Sequence, residues 1–190
     1  QALIARMKAD VAKAVASVGT GAKLRVATFE PGEYVEGKPG IYGGTSTVNA
    51  IITMAGGVNA FGDVPEAYAQ SNWEEYVKRD PEVILVVAYP AAVPQAWIDG
   101  EKLLSDLPVL QNVPAVKNKR FVRVIFPEVG AGGERNVDAV QKLAEVLAAN
   151  PASDAGAAAV KHTQYPLTIS NCGRKVTFEK APERVVTTWH

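Results

Sequence analysis

The feature that most constrains the fold is an unbroken run of apolar residues, VILVVA, at Val83–Ala88. Most of these residues are β-branched, and a run without polar alternation is typical of a strand that is buried on both faces. Two shorter segments, Leu24–Phe29 and Arg120–Ile125, predict further strands. The sequence therefore favours a layered fold with a parallel sheet at its centre.

Helical segments separate these strands. Residues 1–18 carry apolar side chains at helical spacing, and Gly19 and Gly21 follow as a stop signal. Thr45 or Ser46 is expected to cap the next helix. The remaining predicted helices span residues 45–55, 72–79, 97–106 and 134–149. Because strands and helices alternate, the sequence predicts an α/β fold: a doubly wound parallel sheet with flanking helices.

The chain changes character after the last of these helices. Residues 150–164 are mostly small and predict a linker. Residues 165–178 alternate around a turn at Asn171–Gly173 and predict a β-hairpin. Val185–Trp189 predicts a short strand close to the chain end. The predicted organisation is a helix at 1–18, an α/β unit at 19–149, a linker at 150–164 and a hairpin with a strand at 165–190.

Composition excludes several classes of protein. The 20 Lys and Arg residues balance the 20 Asp and Glu residues, which argues against nucleic-acid binding through bulk positive charge. No apolar run approaches the ~18 residues of a membrane-spanning helix. One cysteine, Cys172, excludes an intramolecular disulfide, and two histidines, His162 and His190, are too few for a histidine-rich metal site. Because the chain opens in helix-like sequence, we expect any export signal to have been removed.

Tyrosines follow two of the predicted strands. Tyr34 and Tyr42 lie after the first strand, and Tyr89 comes directly after VILVVA. In open α/β sheets, ligands bind beyond the carboxyl ends of the strands. A tyrosine offers a flat apolar face and a polar tip, which suits a bulky and partly aromatic ligand. These three tyrosines are therefore candidate ligand-binding residues; the alternative is that they only cover the sheet edge.

Two further pairs of residues are candidates for ligand binding. Thr45 and Ser46 follow two glycines and precede a helix, where hydroxyls and free amides bind an anionic or carbonyl oxygen or act as a plain N-cap. Glu128 and Arg135 flank a glycine-rich turn at residues 130–133. Arg135 is expected either to pair with an anionic ligand or to sit in a surface ion pair.

Several stretches within residues 34–149 resemble one known family. They are YVEGKPGIYGGTSTVNAIITMAGGVNAFGD, WEEYVKRDPEVILVV, LPVLQNVPAVKNKRFVRV and RNVDAVQKLAEVL. They resemble the C-terminal lobe of the ABC-transporter substrate-binding proteins that handle iron–siderophores, haem and cobalamin. The stretch YPLTISNCGRKVTFEKAPERVVTTW, at residues 165–189, resembles the start of the mature sequence in the same family. There, a hairpin leads through an APERVV element into the first strand of the N-terminal lobe.

The two pieces stand in the reverse of the family's order. The resemblance implies that residues 1–18 form the long helix joining two lobes, that 19–149 form the C-terminal lobe and that 165–190 form the hairpin and first strand of an otherwise absent N-terminal lobe. We therefore expect a circularly permuted, split or single-lobe protein. A second chain, or a homodimer that exchanges residues 165–190, is expected to complete the fold.

The resemblance implies a function in transport. A protein of this family captures a ferric siderophore, haem or cobalamin between its lobes and docks to an ABC permease; it is not an enzyme. We expect no covalent cofactor, no metal held directly by the chain, and a periplasmic or extracellular protein with a lipoprotein anchor in its precursor. The resemblance assigns permease docking to Glu74, with Glu75 the near alternative, and places Trp189 at the cleft.

Other functions remain open from the sequence. His190 is a candidate iron or haem ligand, and Cys172 a free thiol or an interchain cross-link. An enzyme on this scaffold would rely on carboxylates such as Glu33, Glu128 and Asp138, because the α/β part holds no histidine and the chain has neither a P-loop nor a nucleophile-elbow motif. An assembly module completed by a second chain is the third alternative.

Overall fold

The structure is a computed structural model that describes residues 1–35, 37–150, 166–171 and 174–180. The described residues belong to two compact units, one comprising the chain up to residue 150 and the other the hairpin near the C-terminus. The linker segment, Cys172, Trp189 and His190 lie outside the described residues. Within the described residues, no helix combines the length and the apolar character needed to cross a membrane.

A four-stranded parallel sheet forms the centre of the first unit. The strands of this unit are β1 (Arg25–Phe29), β2 (Gly40–Ile41), β3 (Val58–Asn59), β4 (Ala69–Gln70), β5 (Val83–Ala88) and β6 (Phe121–Ile125). The sheet has the order β3-β1-β5-β6, and β2 and β4 form a separate antiparallel pair. All six residues of β5 are buried, as the VILVVA run predicts.

Seven helices surround the sheet in the described part of the first unit. They are α1 (Ala2–Val15), α2 (Thr47–Met54), α3 (Trp73–Arg79), α4 (Gln95–Asp106), α5 (Pro114–Lys117), α6 (Phe126–Val129) and α7 (Asn136–Ala149). Ser46 caps α2, because its hydroxyl accepts a hydrogen bond from the Asn49 N–H at 3.0 Å. Asp80 ends α3 in a left-handed conformation, directly before Pro81.

The helices cover both faces of the sheet, and each face has its own apolar cluster. One cluster joins Val83, Leu85 and Val87 of β5 to residues of α2 and α7, with α1 packed at its margin. The other joins Ile84 and Val86 to residues of α3, α4 and α5. The alternation of β5 side chains between two apolar layers explains why no polar residue interrupts this strand. The predicted α/β fold is confirmed.

Helix α1 is amphipathic and lies against α7. Val11 and Val15 pack against the first apolar cluster, whereas Leu3 and Ile4 in the first turn are exposed. Arg6 forms an ion pair with Glu134, just before α7. The helix ends at Val15, three residues before the end predicted from the sequence. Its role as a connection between two lobes remains a prediction.

The second unit contains an antiparallel hairpin. Its strands are β7 (Leu167–Asn171) and β8 (Arg174–Phe178), with Leu167 opposite Phe178. The hydroxyl groups of Thr168 and Thr177 lie 2.8 Å apart across the strands. Such a cross-strand hydroxyl pair is favourable in an antiparallel ladder. The predicted hairpin is confirmed, and Asn171, which was expected in the turn, is the last residue of β7.

Candidate functional site

Three polar side chains meet at the carboxyl edge of the central sheet. Glu30 is the first residue after β1, Tyr42 the first after β2 and Tyr89 the first after β5. Because β1 and β5 are parallel neighbours, their carboxyl ends lie side by side. This edge is the usual place for a ligand in an open α/β sheet.

Glu30 and Tyr42 form the buried base of this site. The Tyr42 hydroxyl donates a hydrogen bond to Glu30 Oε2 at 2.8 Å, and both side chains are buried. The backbone of Tyr42 is fixed as well, because its N–H donates to Thr28 Oγ1 at 3.2 Å and its carbonyl oxygen accepts from Asn59 Nδ2 at 2.9 Å. The second carboxyl oxygen, Glu30 Oε1, has no hydrogen-bond partner among the described residues.

Burial controls the ionisation of this group of residues. Burial raises the pKa of Glu30; the hydrogen bond from Tyr42 opposes this shift and the neighbouring Glu33 adds to it. Burial also raises the pKa of Tyr42, and its hydrogen bond to Glu30 raises it further. The pKa values of Tyr68 and Tyr89 are raised, first by partial burial and then by the nearby carboxylates. The tyrosines are therefore phenols, not phenolates, at neutral pH.

Aromatic rings surround the carboxyl group. The Tyr89 ring stacks on Phe126, with 5.0 Å between centroids and 24° between planes. The Tyr68 ring meets Tyr42 edge-on at 5.3 Å. Tyr89 is 39% exposed, which makes it the most accessible member of the group formed with Glu30 and Tyr42. The edge offers apolar ring faces around one acidic group, a combination suited to a bulky ligand.

Tyr34 lies apart from these tyrosines. Its ring packs against Phe29 and Trp73, with centroid distances of 5.8 and 5.7 Å, and its hydroxyl accepts a hydrogen bond from the Gly37 N–H at 3.0 Å. Phe29 and Trp73 belong to the apolar cluster on the other face of the sheet from Tyr42. The structure thus brings Tyr42 and Tyr89 together near Glu30 and places Tyr34 elsewhere, and ligand binding by any of the three tyrosines stays a prediction.

The hydroxyl groups of Thr45 and Ser46 are used within their own loop. Thr45 Oγ1 donates to the Pro65 carbonyl oxygen at 2.9 Å. Ser46 Oγ donates to the Gly43 carbonyl oxygen at 2.7 Å while it accepts the N-cap hydrogen bond. The plain N-cap alternative therefore accounts for the contacts of Ser46, and ligand binding by either residue stays a prediction.

Glu128 and Arg135 have different environments. Glu128 is buried, accepts two hydrogen bonds from Lys142 Nζ at 2.7 and 2.9 Å, and accepts the Ile125 N–H at 3.0 Å. These contacts are those of a helix cap and an ion pair. Arg135 is exposed and has neither a hydrogen bond nor an ion pair to another described side chain. The structure does not bring the two together, and their roles in ligand binding stay predictions.

The two glutamates at the start of α3 differ in whether they form ion pairs within the described residues. Glu75 forms ion pairs with Lys78 and Arg79, at 3.2 and 3.6 Å. Glu74 is exposed and has no ion-pair partner within the described residues. A carboxylate without an internal partner is available to a cation on another molecule. Of the two, Glu74 is thus the better candidate for docking.

A metal centre or a carboxylate-based active site gains no support from this geometry. Among residues 1–35, 37–150 and the two hairpin strands, no three His, Cys, Asp or Glu side chains are grouped closely enough to hold a metal ion. Of the carboxylates considered for an enzyme, Glu33 and Asp138 are exposed, and Glu128 is bound to Lys142.

Glu30 was not singled out from the sequence as a candidate site residue. The available signal was its position, because it directly follows a buried strand and is therefore carried to the sheet edge. Its burial depends on Tyr42, which comes from another strand and is brought close only by the fold.

Comparison with known proteins supplies a family and a fold. A family model described as periplasmic binding protein matches residues 1–126. No curated protein sequence matches the chain. A periplasmic binding protein from Veillonella parvula is similar in structure, with a TM-score of 0.69 and 23% identity over 77% of this chain and 49% of that one.

Two other similar structures are of proteins named for a ligand. One is an ABC-type Fe3+-hydroxamate transport system from Saccharomonospora viridis, with a TM-score of 0.65 and 22% identity over 76% of this chain and 47% of that one. The other is a periplasmic heme-binding protein from a Roseiflexus species, with a TM-score of 0.62 and 22% identity over 77% of this chain and 54% of that one. The chain thus spans about half the length of the structures that it matches, and at this identity the similarity establishes the fold.

Proposed function

The chain belongs to the periplasmic binding protein family, and from that premise we propose that it is the solute-binding component of an ABC importer for a ferric siderophore or a similar large chelate. The observation that carries this proposal is the group of aromatic rings around Glu30 at the carboxyl edge of the sheet. Two structural neighbours, an Fe3+-hydroxamate transport protein and a heme-binding protein, support the same class of ligand.

The mechanism that we propose is capture between two lobes. The first unit supplies one wall of the cleft, and Tyr89 offers its exposed ring to the ligand. Because the chain spans about half the length of its structural neighbours, the opposite wall is expected to come from a second lobe, a second chain or a second copy. Binding by the first unit alone is then weak, since half the contacts of the cleft are missing.

Docking to the permease is the second step of the proposal. Glu74 lies at the start of α3 as an exposed carboxylate and is suited to a bidentate, charge-assisted pair with an arginine of the permease. The interaction of Glu75 with Lys78 and Arg79 leaves it less available. We place the protein in the periplasm, as its family indicates, and a lipoprotein anchor in the precursor belongs to the same proposal.

Titration of the chain with a panel of chelates tests the ligand class. The panel contains ferric hydroxamates, ferric catecholates, haem and cobalamin, and intrinsic fluorescence reports binding. We expect one class to quench the fluorescence and Tyr89→Ala to weaken that binding. Val109→Ala is the matched control, because Val109 is similarly exposed but follows α4 at the opposite edge of the sheet. Failure of every chelate to bind, even weakly, would refute the proposed function.

A further inference from the structure

The Glu30 carboxyl group is deeply buried, and one of its two oxygens accepts no hydrogen bond from the described residues. The residue is 1% exposed, and its Oε1 atom has no hydrogen-bond partner within the part of the chain that the structure describes. A buried acceptor without a partner costs about 1–3 kcal/mol, and more when it is charged. Sequences that violate a folding rule in this way do so mainly at functional sites.

The other carboxyl oxygen is held in place. Tyr42 donates to Oε2, and the Tyr42 backbone is fixed by Thr28 and Asn59, so the carboxyl group is anchored on one side and unpaired on the other. Tyr89 lies close enough to influence the ionisation of Glu30, yet it makes no hydrogen bond of normal geometry to the free oxygen. Tyr89 is also partly exposed and lies between solvent and the buried Glu30, so a ligand must pass this ring to reach Glu30 if Tyr89 moves.

The surroundings of the free oxygen favour a positive charge. Glu33 is the nearest second carboxylate, and among the described residues no lysine, arginine or histidine pairs with Glu30 or Glu33. An anion is disfavoured beside Glu30 when its carboxyl group is ionised.

We propose that Glu30 is a specificity-determining residue that binds an ammonium group carried by the chelate. The ammonium group donates a charge-assisted hydrogen bond to Oε1, while Tyr42 continues to hold Oε2. The aromatic rings enclose the carbon atoms next to the nitrogen. This inference rests on the proposed function and deepens it, because it selects cationic chelates over neutral ones of the same size.

A pair of matched chelates tests the inference. The first is the gallium(III) complex of desferrioxamine B, a trihydroxamate that ends in a primary ammonium group; the second is the same complex with that amine acetylated. Gallium(III) replaces iron(III) because it is diamagnetic, so amide chemical shifts of the chain can be followed even when binding is weak. We expect the ammonium form to bind about tenfold more tightly, or better, and to shift the amide signals of Glu30, Tyr42 and Tyr89.

Two variants distinguish a direct contact between Glu30 and the ammonium group from a general effect of negative charge near the site. Glu30→Gln keeps the shape of the side chain and should remove the preference for the ammonium form, and the dispersion of its amide signals shows whether the variant is folded. Glu33→Gln removes a nearby exposed charge and should change the preference by about twofold or less, because exposed charges are screened.

The possible outcomes distinguish this inference from the proposed function. Equal binding of the two complexes, unaffected by Glu30→Gln, would overturn the inference and leave the chelate-binding role intact. Absence of shifts at Glu30, Tyr42 and Tyr89 with either complex would also overturn it. In that case, binding of haem or of another member of the panel would still uphold the proposed function.

Discussion

The Tyr42 hydroxyl donates a hydrogen bond of 2.8 Å to Glu30 Oε2, and this contact joins the end of the central strand β1 to the end of β2. It positions a buried acid at the edge of the sheet where ligands of α/β proteins bind. The candidate site therefore depends on the arrangement of separate strands, because Glu30 and Tyr42 come together only in the folded protein.

Replacement of Glu30 should change how stability depends on pH. Burial raises the pKa of Glu30 above its ordinary value near 4.5, so the folded protein holds this proton more tightly than the unfolded chain does. The raised pKa therefore adds to the free energy of unfolding of the protein, compared with that of Glu30→Gln. This added stability is fully present below about pH 4.5 and is lost as the pH rises through the raised pKa. The loss amounts to about 1.4 kcal/mol for each unit by which the pKa is raised.

Urea unfolding of the protein and of Glu30→Gln, from about pH 4 to about pH 9, measures this difference. The groups that influence Glu30 are Glu33, Tyr42 and Tyr89, so Glu33→Gln serves as the control for a neighbouring charge. If the free energies of unfolding of the protein and of Glu30→Gln differed by the same amount at every pH, the raised pKa of Glu30 would be contradicted.

The loop before α2 should not tolerate a side chain at Gly43. A Cβ atom there would lie 2.2 Å from the Glu66 carbonyl oxygen and 2.5 Å from that of Val64, both of which are backbone atoms. We expect Gly43→Ala to lower the free energy of unfolding by about 2 kcal/mol or more, as overpacking does. Gly132→Ala is the control, because a Cβ at Gly132 meets open space. Equal thermal stability of the two variants would show that the loop moves freely to make room.

Arg79 should contribute to stability through the geometry of its guanidinium group. It pairs with Asp63 through two nitrogens, donates to the Ala60 carbonyl oxygen at 2.8 Å and lies 4.8 Å above the centre of the Phe61 ring. Arg79→Lys keeps the charge but loses the forked geometry, so we expect a cost of about 1–2 kcal/mol in urea unfolding.

The neighbouring Lys78 provides the matched control for Arg79. Within the described residues, Lys78 forms an ion pair with Glu75 alone, on the exposed face of the same helix. Lys78→Ala should change the free energy of unfolding by about 0.5 kcal/mol or less. A cost for Arg79→Lys as small as this would mean that the contacts of Arg79 are not maintained in solution.

Removal of the Glu74 carboxylate should affect docking and not folding. Because Glu74 has no ion-pair partner among the described residues, Glu74→Ala should change the free energy of unfolding by about 0.5 kcal/mol or less. Its affinity for the permease should fall by about tenfold or more, as expected for loss of a charge-assisted pair. Glu145→Ala, at another exposed carboxylate, is the control. Similar permease affinities for both variants, measured with permease in nanodiscs, would remove Glu74 from the interface.

The central sheet was predictable because its strands are long and apolar. The predicted strand at Val83–Ala88 has the bounds of the observed strand β5. The predicted strands at 24–29 and 120–125 each begin one residue before the observed strands β1 and β6. The short strand β3, Val58–Asn59, was missed because two residues establish no periodicity. Its pairing with β1 depends on the tertiary fold.

The candidate site was only partly predictable. The strand ends indicated the edge of the sheet near which Tyr89 follows β5 and Tyr42 follows β2. The position of Tyr34 could not be predicted, because residues after β1 can leave the sheet on either face and the packing against Phe29 and Trp73 decides its side. The burial of Glu30 could not be inferred, since a glutamate in a predicted loop is ordinarily exposed.

The most direct test of the account is the affinity of the 20.2 kDa monomer for the chelate that it binds best, with light scattering to confirm the mass during the titration. If the first unit supplies one wall of the proposed cleft, we expect a dissociation constant of about 10 µM or weaker, and tighter binding when a second lobe or a second copy completes the cleft. Nanomolar binding by a species that remains at 20.2 kDa would contradict the account, because a single lobe would then be a complete receptor.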